Sequence, residues 1–422
     1  MNLWKAWIAA LFLLTSACVP GIVEPPTPFS AFETQNPPTR EQPTVASTAV
    51  AEESASPPEP SATERVALPA RPVLEPRLEA GQPVVIKQIR MDSATDGWAI
   101  GEHPDPQLAL PIHVLTTADG GETWREVTPP EDPALLFEVG GFYSAGPRAW
   151  VIYLGTDQVW RTTDGGATWI ASEAGYPMGQ YSTLEFTGPE QGWMLQEVES
   201  GMGSQLVALF RTTDGGDTWQ EIIDPYDSED LQSCRKTGIS FFGMETGWTT
   251  YNCDGTYLEA FLDVSRDAGE SWDEGRLPLP EGAAGSTDQG WCYSGSPRPN
   301  SERSGTLIVT CVVAEGSTLA ETSYLYRTQD AGASWEMLDY PGGELQFFAE
   351  GTMLALGTDQ YRSTDGGANW TKIKSVTWDG DYSFVNSTTG WAVARNEDEI
   401  ALVRTTDGAA TWEIIEPRIA SN

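Results

Sequence analysis

Acids dominate the side chains of this sequence that could do chemistry. There are 61 Asp and Glu against 24 Lys and Arg, a formal charge of −37 over 422 residues. Two carboxylates flanking a glycosidic bond can hydrolyse it, one as proton donor and the other as base or nucleophile. With so many acids, no pair stands out by spacing. The segment DPYDSED bunches Asp224, Asp227, Glu229 and Asp230. Hard carboxylate oxygens so placed suit Ca²⁺, but a solvated acidic loop is the simpler reading, and no metal is expected. His103 and His113 are the only histidines, too few for a His-built metal centre; they read as ordinary loop and strand residues. HExxH, GxSxG, CxxC and phosphate-loop patterns do not occur, and no cofactor is expected. Five lysines and the acid excess exclude a nucleic-acid surface, which needs clustered cations.

One set of aspartates does recur regularly. RTTDGGATW (161–169) and RTTDGGDTW (211–219) share eight of nine letters. The general pattern is Ser/Thr-x-Asp-x-Gly-x-Thr/Ser-Trp. It occurs at 117–124, 162–169, 212–219, 265–272, 328–335, 363–370 and 405–412, with Asn369 for the hydroxyl in the sixth copy and Ala409 for the Gly in the seventh. Its aspartates are Asp119, Asp164, Asp214, Asp267, Asp330, Asp365 and Asp407; its tryptophans are Trp124, Trp169, Trp219, Trp272, Trp335, Trp370 and Trp412. Seven scattered copies do not make one reaction centre. They make a repeated part: Asp accepting hydrogen bonds from nearby amides, Gly turning the chain, and Trp pinning a hairpin by its buried face. Steps of 35 to 63 residues between the aspartates suit a four-stranded propeller blade.

The positioning elements follow the same grammar. Short β-rich runs such as VVIKQIRM, TLEFTG and YSFVN precede Gly-Trp pairs in DGWAI, QGWML, TGWTT and TGWAV. A third run enters the loop and a fourth leaves from its Trp, so the fold is all-β. The first and last blades each read as four local strands, so no exchange between the termini is expected. The long loops at 101–111 and 171–183 fall on the face opposite the repeated loops. There Tyr176, Met178 and Tyr181 form either a contact patch or simple loop packing.

The N-terminus reads as export machinery. MNLWKAW carries one lysine, and Ala6–Leu14 is a nine-residue apolar run, too short to span a bilayer and right for a signal peptide. Residues 19 to 82 hold 13 of the 30 prolines and few large apolar side chains, and read as a flexible tether. Beyond Cys18, the cysteines Cys234 and Cys253 are 19 apart, as are Cys292 and Cys311. That spacing favours two disulfides, each stapling neighbouring strands, over four buried thiols.

The repeated loops resemble the Asp-box, or BNR, repeat. It occurs in sialidases, in two-propeller xyloglucan-cleaving enzymes, in sortilin-type receptors and in the photosystem II stability/assembly factor family. DGWAI…TTADGGETW and TGWAVAR…RTTDGAATW are most similar to the last. The resemblance implies a single seven-bladed β-propeller over 83–422 with an Asp box in each blade. Thr15-Ser16-Ala17-Cys18 resembles the bacterial lipoprotein signal, which implies a signal peptide over 1–17, lipid on Cys18 and a tether over 18–82. Sialidases carry an arginine triad and an Arg-Ile-Pro motif before the first box; this chain lacks that motif. Arg161, Arg211, Arg327, Arg362 and Arg404 each precede a box and read as solvated or paired strand-end residues. The xyloglucan-type enzymes use a cleft between two propellers, and only one is expected here. The expectation is therefore a non-catalytic, monomeric lipoprotein on the extracytoplasmic side. It would be an assembly-factor-like scaffold for protein or glycan partners, membrane-held through its N-terminal lipid. The alternative is a glycan-acting hydrolase of sialidase or xyloglucanase type.

Overall fold

In the computed structural model the described residues are 71–72 and 77–421, apart from 109–110, 132–137, 202, 233, 254–260, 279–289, 302, 316–317, 349–350 and 398. The signal segment, Cys18 and most of the expected tether lie outside them. Among the described residues the regular structure is strands and a single 3-10 turn, and no helix is long and apolar enough to cross a membrane.

The strands form seven antiparallel sheets, the blades of a seven-bladed propeller. The first strands are Val85–Met91, Val139–Ala145, Thr183–Phe186, Arg235–Phe242, Gly290–Ser294 continued by Arg298–Pro299, Glu344–Phe347 and Asp379–Phe384. They touch in turn around an axis. Contacts join the strand of blade 7 to that of blade 1, and link blades 2 to 3, 3 to 4, 4 to 5 and 6 to 7. The guanidinium of Arg90 over the Tyr143 ring at 4.4 Å joins blades 1 and 2. Arg298 Nη1 donates to Leu345 O at 2.8 Å and joins blades 5 and 6.

The Gly-Trp pairs now have a physical reason. A Cβ on Gly192, Gly247 or Gly390 would sit within 2.6 Å of Phe186, Phe241 or Phe384, the aromatic of the blade's own first strand. Glycine makes room for that ring. The second-strand Trp faces the next blade: Trp193, beside Gly192, stacks on Phe241, and Trp150, which follows Ala149, stacks on Phe186, each at 3.9 Å between centroids. Its indole N–H then donates to the carbonyl after the repeated aspartate in the next blade. Trp150 reaches Gly215 O (2.8 Å), Trp193 Ala268 O (3.0 Å), Trp248 Ala331 O (3.4 Å) and Trp391 Gly120 O (2.8 Å). The core is therefore a ring of wedges between blades, each nearly dry.

The ends meet in a way the sequence reading did not anticipate. Blades 1 and 7 do have four local strands, but Arg418–Ile419 adds a fifth to blade 1, parallel to Thr123–Trp124. Ala420 N donates to Trp124 O at 2.8 Å. The expectation of no exchange between termini is thus corrected: the C-terminal residues are hydrogen-bonded to the first blade. At the other end Arg71–Pro72, within the stretch read as tether, pairs with Thr168–Trp169 of blade 2, and Leu78 is buried in the core between blades 7 and 1.

Cys234 bonds to Cys253 and Cys292 to Cys311. Each bridge staples the first and second strands of one blade, with Cys292 and Cys311 directly opposite in register. A closed loop of about 20 residues contributes roughly 3 kcal/mol in the chain-entropy picture. Two such bridges place the chain in an oxidising compartment outside the cytoplasm.

Candidate active site in the axial channel

The repeated loops are one hydrogen-bonded unit built seven times. In the first, Thr117 Oγ1 donates to Asp119 Oδ1 (2.9 Å) and accepts from Gly121 N (3.0 Å). Thr123 N donates to Asp119 Oδ1 (2.9 Å) and Thr123 Oγ1 to Oδ2 (2.7 Å). Asp164, Asp214, Asp267, Asp330 and Asp407 repeat this scheme with Thr or Ser, and Asp365 with Asn369 Nδ2 at 2.8 Å. The donors come from two residues before and four after the aspartate, farther along than the amides just ahead of it. Their pull holds all seven carboxyls below the usual Asp range. Those of Asp330 and Asp365 lie at about 2, chiefly through Ser334 and Asn369. Trp124, Trp169 and Trp219 are buried; Trp272, Trp335, Trp370 and Trp412 are partly so. With both carboxylate oxygens engaged by local donors, two on Oδ1 and one on Oδ2, these aspartates are joinery.

Ala268, Ala331 and Ala409 occupy positions with φ of 65°, 59° and 71°, where the other copies have glycine. A Cβ is strained there. Replacing Ala331 by Gly is expected to raise stability by about 1 kcal/mol, measurable as a higher denaturant midpoint at unchanged slope.

The arginines before the loops bridge to the next blade, as strand-end pairs. Arg161 ion-pairs with Asp217, Arg327 Nη1 donates to Gly366 O (3.1 Å) and Arg362 Nη2 to Gly408 O (3.2 Å). Met178 is buried between blades 2 and 3 and Tyr176 packs partly against the same cluster, leaving only Tyr181 of that trio exposed, so no patch forms. His113 is a buried strand residue with a partner: its Nδ1 lies 2.8 Å from Glu126 Oε1. Burial opposes ionisation of Glu126, but His113 and the amides of Leu78 and Arg77 outweigh it and hold the carboxyl below its ordinary value.

Acids whose carboxyls are shifted by their surroundings lie on the first strands of blades 3 and 6. Glu344 begins the first strand of blade 6. Its Oε1 accepts from Gln346 Nε2 (2.6 Å) and lies 3.8 Å from Arg298 Nη1, and the backbone amide of Tyr382 donates to it. Burial pushes its carboxyl above the usual Glu range, and the charge of Asp381 adds to that, against Arg298. Asp381, on the first strand of blade 7, is more exposed and accepts from Arg395 Nη2 at 2.7 Å. The same guanidinium nitrogen holds Lys87 O of blade 1 at 2.7 Å. Two neighbouring carboxylates thus sit in opposite settings, one enclosed and inclined to keep its proton, the other fixed against a cation. That contrast is what an acid–base pair requires.

A third acid, Glu185 on the first strand of blade 3, faces Ser240 and the amide of Phe241 in blade 4. Burial pushes it up to about 8, against those hydrogen bonds and the charge of Arg90. A folded carboxyl near 8 against 4.5 when unfolded means that the unfolded chain has lost a proton the folded chain keeps. Stability therefore falls as pH rises between those values. Glu185→Gln removes this dependence and is expected to be more stable than the parent at pH 8 by about 1–3 kcal/mol, and no more stable at pH 4; denaturation at both pH values checks it.

Known proteins were compared with this chain. No protein-family profile matches it. It is 24% identical over 281 residues to a xyloglucanase of a Paenibacillus species, an alignment covering 56% of this chain and 24% of that protein. It is 25% identical over 257 residues to the xyloglucanase Xgh74A of Acetivibrio thermocellus, covering 53% and 28%. The chain thus spans about a quarter of the length of the curated relatives it matches. Solved structures similar to it include YCF48 from Cyanidioschyzon merolae, at 18% identity and TM-score 0.47, covering 80% of this chain and 98% of that one. These findings correct the reading of the chain as a non-catalytic scaffold: both curated relatives are named for a glycan-cleaving activity, the alternative weighed from the sequence.

Proposed function

We propose that this chain is an exported glycan-acting hydrolase that cuts a neutral polysaccharide of the xyloglucan type beside its axial channel. The observation that carries the reading is the carboxylate pair Glu344 and Asp381 in contrasting environments. Glu344 holds the proton and delivers it to the departing glycosidic oxygen. Asp381, held by Arg395 at 2.7 Å, assists attack at the anomeric carbon, so water is added across the bond overall. The names of the curated relatives support the substrate class. A net charge of −37 supports a neutral glycan over a sialylated or uronic one, which the chain would repel.

Incubating the full chain with xyloglucan, mixed-linkage β-glucan and a sialylated glycan, and assaying new reducing ends, tests this. Release from xyloglucan with none from the sialylated glycan is expected; silence across both neutral glucans sinks the reading.

The sevenfold hydrogen-bonding scheme supports reading the loops as Asp boxes of the BNR type, and the small residues before Cys18 support a lipid anchor that holds the propeller at the membrane face. Cys18→Ala is expected to move the protein from the membrane fraction to the medium and to abolish labelling by an alkynyl fatty acid.

A further inference from the structure

We infer that the groove between blades 5 and 6, on the face carrying the repeated loops, is a binding site for a small planar aromatic molecule bearing a hydrogen-bond donor. The inference goes beyond the glycan reading and does not depend on it.

The ring itself defines the missing group. At four blade junctions a second-strand indole fills the wedge and donates to the carbonyl after the next blade's aspartate. Described grooves on this face occur at the other three junctions, between blades 1 and 2, 5 and 6, and 6 and 7. Between blades 1 and 2 the indole is present but turned: Trp98 donates to Gly146 O. Between 6 and 7 the place is taken by Leu354, fully buried. Between 5 and 6 it is taken by Thr306, opposite Arg327 as Trp391 is opposite Arg404. A hydroxyethyl group is far smaller than an indolylmethyl, and a groove of about 560 Å³ is present.

What lines the groove matches what is missing. Phe347 occupies the register position of Phe186 and Phe241, the rings on which Trp150 and Trp193 stack. Facing Thr306, its ring is stacked on no indole among the described residues, and with Phe348 and Met353 it lines the groove as its apolar wall. Gly366 O corresponds to the carbonyl that receives an indole N–H at those four junctions. Here it takes Arg327 Nη1 at 3.1 Å, and a carbonyl oxygen has a second lone pair to offer. Thr306 is 2% exposed and its Oγ1 has no hydrogen-bond partner among the described residues, a buried polar group left for a ligand or a slight shift to satisfy. A flat ring on Phe347 with its donor towards Gly366 O meets both demands.

The test uses the full chain with indole as probe and benzothiophene, the same shape without the N–H, as comparator. By calorimetry indole is expected to bind saturably at one site with a Kd of about 1 mM, as befits so few atoms, and benzothiophene about three- to tenfold more weakly. Thr306→Trp plugs the wedge and is expected to abolish indole binding. Phe347→Leu, which keeps the core apolar, weakens it about tenfold and serves if the larger substitution does not fold. Xyloglucan turnover is expected to be unchanged by either, which separates this site from the channel. No saturation below 10 mM (about tenfold above the expected Kd), undiminished binding in the folded variants, or equal affinity for benzothiophene overturns the inference.

Discussion

Glu344→Gln is expected to lower hydrolysis of xyloglucan by about 10²- to 10⁴-fold, the usual contribution of a placed general acid. The amide is isosteric with the protonated acid and can keep the contacts with Gln346 and the Tyr382 amide, so the folded state should survive; an unchanged melting temperature verifies that. The loss should fall on kcat more than on KM, because proton delivery matters only as the glycosidic bond breaks. The pH profile sharpens the claim. Burial and Asp381 raise the Glu344 carboxyl above its ordinary value, so the parent enzyme loses activity on the alkaline side as that proton is given up. Arg298 favours the ionised form from 3.8 Å, so Arg298→Gln is expected to move the alkaline limb upward, and Glu344→Gln to erase it. Asp381→Asn, which removes the anion and leaves Arg395 unpaired on that side, is expected to cost as much again. Residual activity within threefold of the parent in both single variants would assign the reaction to other residues.

The parts of this molecule legible in its sequence are those whose interactions are short along the chain. The loop scheme closes within four residues of each aspartate, so it is written in consecutive letters and survives in seven copies, including one with Asn369. The two disulfides link adjacent strands, and equal separations of 19 betrayed them. The carboxylate pair has no such signature. Glu344 and Asp381 lie 37 positions apart in strands that read as ordinary β runs, and they meet only because blades 6 and 7 are neighbours around the axis. The usable signal was an acid inside a first strand, in TLEF, ELQF and DGDYSF, where solvent lies on one narrow side. Showing the repeated loops to be structural constrained only the face that carries them; nothing followed for the channel, and so the non-catalytic reading did not hold. For a related reason patch and packing stayed open for Met178, since a loop methionine reveals its burial only once the neighbouring blade is in place.

The largest stability effect is expected at the junction where the chain's two ends meet. Trp391 is completely buried, donates to Gly120 O at 2.8 Å and packs with Met91, Leu115 and Leu402. It is the only one of the four donating indoles that joins blades far apart in sequence, 271 positions from donor to acceptor. Elsewhere a weakened wedge is still spanned by the polypeptide running from one blade to the next. Between blades 7 and 1 no such connection exists, and the wedge is assisted by the thin strand Arg418–Ile419 and by Met91 N donating to Ser383 Oγ at 2.8 Å. Truncating a buried Trp to Ala costs about 3–5 kcal/mol. Trp391→Ala should lie at the upper end of that range, with Trp193→Ala, at a junction the chain crosses directly, nearer the lower end. Trp391→Phe retains an aromatic ring against Met91 and loses the N–H, leaving Gly120 O short of a donor, and should fall between them. Denaturant unfolding of the three variants ranks them. A Trp391→Ala loss of under about 1 kcal/mol, or one no greater than that of Trp193→Ala, would mean that the ring is not held shut at this seam.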